Sequence, residues 1–198
     1  MELTGVQKLA RVLRVMVIVV FVCNIAALFL VPGMVAFYGS RMSLRPPVSI
    51  SIGYAAVEPA APLELAAICA ARFARAFLEV WKQSYTAVLT LFLWACGVCT
   101  AIILWQGKRV LDTILKGETF TFGNAANMKR AAICCFVISG AALVRTIWGL
   151  IYYQSFDALL TYNFLFFPLF LLAGLVCMVM SALFRQAAEM KAENDLTI

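Results

Sequence analysis

Two features of the sequence invite a chemical reading. Cys96-Gly-Val-Cys99 has the spacing of a thiol redox pair, and Arg145 is a lone charge inside an otherwise apolar run. A CxxC pair exchanges disulfides through a thiolate, and in a quinone-coupled membrane oxidase it passes electrons to a second cysteine pair in an external loop. Here the pair falls in the middle of an apolar run, and the one long connection offers Cys69 alone. Small apolar packing is the ordinary role of such cysteines. Cys134 and Cys135 are adjacent and point different ways on a helix. The chain has no histidine, which removes the commonest general base and metal ligand. Asp112, Glu118, Glu189, Glu193 and Asp195 all lie outside the apolar runs, and no phosphate-binding glycine loop, nucleophile elbow or zinc spacing occurs. The residues therefore assign no catalytic group, no metal site and no cofactor, and the chain reads as a non-enzyme.

The elements that carry these residues follow from composition. With 64% hydrophobic and 13% charged residues in 198, the chain is too apolar for a soluble domain of this size, in which about 25% of residues are charged. A crossing helix needs roughly 20 apolar residues for a hydrocarbon core about 30 Å thick. Four runs qualify, at residues 15–38, 85–105, 131–153 and 162–184. The fold class is thus an all-α integral membrane protein, a four-helix transmembrane bundle forming a single domain over residues 1–198. The first run follows Lys8, Arg11 and Arg14 and has a cleaved signal peptide as its rival, but it is too long and lacks a small-residue cleavage site.

Connection 39–84 divides in two. Val48 to Tyr54 alternates as one short strand would, and residues 63–84 read as an amphipathic helix lying at the outer interface or leaning on the bundle. In that helix Glu64, Arg72, Arg75, Glu79 and Lys82 share a stripe opposite Phe73, Phe77, Val80 and Trp81. A fifth crossing there is disfavoured by its five charges. Lys108, Arg109, Lys116, Lys129 and Arg130 crowd the connection 106–130, whereas the connection after the third run has no Lys or Arg, so the positive-inside rule puts both termini in the cytoplasm. The second helix is expected to continue to a stop at Lys116-Gly117, Asn124 to cap the third, and the fourth to run past Phe184 into the tail 185–198.

Arg145 and Asn24 come out at similar depth, about 12 to 14 Å from opposite membrane faces, and form a candidate intramembrane polar site. The alternative is a structural arginine snorkelling to Asp157 or Glu79. On the inner side a candidate docking surface gathers Lys116, Glu118, Asn124, Lys129 and Arg130 from the loop with Glu193, Asp195, Leu196 and Ile198 from the tail. There the acidic residues approach the basic ones and the two apolar residues cover helix ends.

The turn "LKGETFTFGNAANMKR" and the ending "ALFRQAAEMKAENDLTI" resemble the bacterial membrane family catalogued as domain of unknown function 2975, most specifically at Lys116-Gly117-Glu118, Phe120-Thr121, Asn124 and residues 193–198. The resemblance implies a multi-pass protein of the bacterial inner membrane without an assigned activity, whose relatives are often encoded beside a small helix-turn-helix regulator, and such a regulator is the candidate partner. Two functions stay open. One is a non-enzymatic sensor or tether acting through a cytoplasmic regulator, in contact with the lipid bilayer and with no direct nucleic-acid binding; the other is a small transporter or lipid-handling protein using the Arg145 region.

Overall fold

The computed structural model describes residues 5–42, 70–71, 74–75, 77–78, 80–82, 84–154 and 162–196. Four long helices dominate: α1 (Gly5–Met42), α2 (Ser84–Leu115), α3 (Phe122–Tyr153) and α4 (Tyr162–Leu196). The all-α class expected from composition is what forms, and among the described residues there is no strand. The strand expected at 48–54 lies outside them. Each helix holds an apolar stretch long enough to cross a bilayer, Lys8–Val31, Thr86–Leu115, Phe122–Tyr152 and Phe164–Asn194, so the chain is a multi-pass membrane protein. The last three stretches, of 30 or 31 residues, extend about 45 Å at 1.5 Å per residue and overrun the hydrocarbon.

At the α2–α3 turn, caps rather than the edge of the oil decide where the helices stop. At the end of α2 the Gly117 N–H bonds to Ile114 O (3.1 Å) and the Glu118 N–H to Thr113 O (3.0 Å), with Gly117 at φ +83. This is a Schellman ending, and glycine suits it because it has no Cβ to clash in the left-handed region. It matches the stop read at Lys116-Gly117. The α3 cap differs from expectation. Thr121, not Asn124, takes the extended conformation (φ −133, ψ 149), and its hydroxyl accepts from the Asn124 N–H. Both residues are good caps by type; the backbone of the preceding turn selects the earlier one.

The chain forms two compact units, residues 1–27 with 95–198, and residues 28–94. In the smaller unit Val80 is buried, the Thr86 hydroxyl donates to Val80 O (2.6 Å), and the Trp94 indole donates to Leu28 O (3.2 Å). The Phe77 and Trp81 rings lie 6.1 and 6.4 Å from that of Trp94, and Trp81 is itself exposed, as are Arg75 and Lys82. Glu64, Arg72, Phe73 and Glu79 lie outside the described residues.

In the larger unit α3 and α4 run antiparallel. Ala131, Ala132, Cys135, Ile138, Ser139 and Ala142 make a buried stripe at helical spacing on α3. Small residues let membrane helices approach closely. Gly174 shows how closely, since a Cβ there would stand 2.7 Å from Cε1 of Phe136. Two hydroxyl-to-carbonyl bonds set the register, Ser181 to Ala125 O (2.7 Å) and Ser139 to Phe167 O (2.9 Å). They join points 14 residues apart on both helices.

Candidate functional site

The end of the molecule at the α2–α3 turn holds most of the residues singled out from sequence. Asn124, with no exposed surface, is its centre. Its Oδ1 accepts from the Thr113 hydroxyl and its Nδ2 donates to Thr119 O, both at 2.8 Å. One amide thus ties the last turn of α2 to the chain entering α3, and a buried amide satisfied at both ends fixes a loop far better than surface charges do. Around this clasp Lys116, Glu118, Lys129 and Arg130 are exposed, as are Phe120 and Phe122 at 51% and 55%. The Phe120 ring lies 6.1 Å from that of Phe184, which brings α4 to the turn.

As far as Glu193 the tail is not folded back over this surface. α4 continues as helix to Leu196, and Glu193 is exposed and meets none of Lys116, Lys129 or Arg130 among the described residues. The reason is helical rise: Phe184 is level with the turn, and nine further residues carry Glu193 about 13 Å beyond it. The side chains of Asp195 and Leu196, together with Ile198, lie outside the described residues.

Arg145 is half-buried and within electrostatic reach of Cys96. It does not pair with Asn24. Arginine can only donate, and Asn24 Oδ1 is buried with no hydrogen bond. Matching depth did not settle the rotation of either helix, so the candidate intramembrane site is not assembled as a bonded pair. Asp157 and Glu79 lie outside the described residues.

The thiols organise packing. Cys99 contacts Cys134 between α2 and α3, and Cys135 contacts Cys177 between α3 and α4, so the adjacent cysteines do face different neighbours. Cys96, Cys99, Cys134, Cys135 and Cys177 are free thiols. Among the described residues no group of three histidine, cysteine or acidic side chains could hold a metal ion.

Two features escaped the sequence. Arg14 Nε lies 2.8 Å from Asp112 Oδ1, joining α1 to α2, although the contact is off the N–H axis and makes an ion pair without a hydrogen bond. Its only signal was position, since Arg14 immediately precedes the first apolar run and Asp112 lies two turns beyond the second. The other is a groove of about 460 Å³ where α3 begins beside α4, lined by Phe122, Lys129, Met178, Ala182 and Arg185. It depends on which faces two distant segments turn to each other, which no local pattern encodes.

A family model described as "Protein of unknown function (DUF2975)" matches residues 60–198. No curated protein and no solved structure matches the chain.

Proposed function

Since the chain belongs to the DUF2975 family, whose description assigns no activity, we propose from its geometry a non-enzymatic sensor or tether of the bacterial inner membrane, acting through a soluble cytoplasmic regulator. The observation that supports this reading is the clasped turn. Asn124 is spent internally, so the segment from Lys116 to Phe122 is held in one conformation while its charges and two phenylalanines face outward. A preorganised surface lowers the ordering cost of binding, and aromatic anchors beside charged residues are the usual make-up of a recognition patch. Both termini lie on the cytoplasmic side in this reading, following the basic residues. A small helix-turn-helix protein is the proposed partner, and nucleic acid is reached through that partner alone.

The test is site-specific photo-crosslinking in cells of the source organism with the probe at position 118. A single soluble adduct is expected, lost when the clasp is opened by Thr113→Val with Asn124→Ala and retained in Arg145→Ala. Adducts with lipid only, or a soluble adduct indifferent to the clasp but lost in Arg145→Ala, would overturn the reading.

A further inference from the structure

We propose that the groove at the start of α3 binds an anionic phospholipid, its phosphate between Lys129 and Arg185 beside Ala182 and an acyl chain running inward past Met178. The inference stands apart from the regulator reading. Depth argues for lipid. If the roughly 30 Å hydrocarbon core is centred on the stretch Phe122–Tyr152, about 8 Å remains at each end, which puts Phe122 among headgroups and Lys129 at the hydrocarbon boundary. An occupant there must be apolar along one part and charged at the other.

Charge argues for an anionic headgroup. Lys129 has no carboxylate within ion-pair distance among the described residues, and Arg185 has one, Glu189, held through Nε at 2.9 Å. The terminal guanidinium nitrogens remain for a second acceptor. The partial positive charge of the α3 N-terminus adds to both cations.

Geometry makes the two cations converge. Lys129 is one turn beyond Ala125 and Arg185 one turn beyond Ser181, the residues joined by the 2.7 Å bond, so their backbones stand about 12 Å apart along the helix axes. Side chains lean toward the N-terminus of their own helix. In this antiparallel pair Lys129 therefore leans outward and Arg185 inward, and both line the same groove. Its volume of about 460 Å³ falls in the roughly 300–1,000 Å³ range of small-molecule sites.

The experiment is native mass spectrometry of the purified full chain, with phosphatidylglycerol and phosphatidylcholine as probes. Phosphatidylglycerol is expected to bind at least about tenfold tighter, and Lys129→Gln with Arg185→Gln to weaken it about thirtyfold, as expected for two basic residues near an anionic surface. Ala182→Phe, which fills the groove and leaves the charges, should weaken both lipids. Glu189→Gln, which releases Arg185, should tighten phosphatidylglycerol several-fold and is readable even if the double variant fails to fold. An unchanged lipid preference in the charge variants overturns the proposal. So does full phosphatidylglycerol binding in Ala182→Phe, which would mean diffuse surface attraction, or complete displacement by inorganic phosphate, which would mean the chain contributes nothing.

Discussion

Asn124 uses both ends of its amide, accepting from Thr113 and donating to the Thr119 carbonyl, with no surface left for solvent. Asn124→Ala strands the Thr119 carbonyl, while the Thr113 hydroxyl keeps the Val110 carbonyl as acceptor (2.7 Å), and we expect it to cost about 1–3 kcal/mol, read as a lower melting temperature in detergent and faster proteolysis after Lys116. Asn124→Asp keeps the acceptor for Thr113 but faces Thr119 O with a carboxylate. Burial beside a carbonyl raises the folded-state pKa of that carboxyl above its unfolded value, so the penalty is absent below about pH 4 and grows as pH rises toward the folded-state pKa. The variant should approach wild-type stability in acid, and melting curves across pH check it. A deficit that stays constant with pH would mean the Nδ2–Thr119 bond is not the one that matters. The importance of this turn was legible from its residue types, since glycine, threonine and asparagine cluster there for reasons of backbone chemistry. The exchange of roles between Thr121 and Asn124 was not, because a cap is defined by backbone angles and both residues suit the position by type.

At the scale of elements, the α3–α4 contact is set by what is absent at position 174. Gly174→Ala puts a methyl 2.7 to 3.1 Å from three atoms of the Phe136 ring. Either the ring turns or the helices separate, at a cost of about 1–3 kcal/mol. Phe136→Leu in the same chain should recover most of the loss, and thermal unfolding of the single and double variants tests the pairing. On the other side of the unit, Arg14 and Asp112 are 43% and 32% exposed, so their coupling in a double-mutant cycle should be no more than about 1 kcal/mol. A larger coupling would mean that lipid, rather than water, surrounds the pair. The helices themselves were legible because apolar length alone identifies a crossing segment. Which faces they turn to one another was not. The runs are apolar nearly all round, so periodicity carries little information, and the burial of Ala132 and Ala142 on α3 follows from close backbone approach rather than from hydrophobicity.

For the whole molecule, if the four apolar helices of the described residues make all the crossings, both termini share one face of the membrane, which we propose is the cytoplasmic one. Cysteine introduced at Thr197 should resist an impermeant thiol reagent added to whole cells and react once the membrane is opened; labelling from outside would invert the orientation drawn from the basic residues. The register of α3 and α4 adds a restriction on how such a molecule can carry a message. Ser139 and Ser181 fasten the pair at two levels 14 residues apart, and Gly174 lets Phe136 lock between them. One helix cannot slide along the other without releasing both fastenings at once. A stimulus arriving at one face is therefore ill-suited to a piston stroke of α3 against α4. The pair behaves as a strut, and what it can transmit from one face to the other is its tilt.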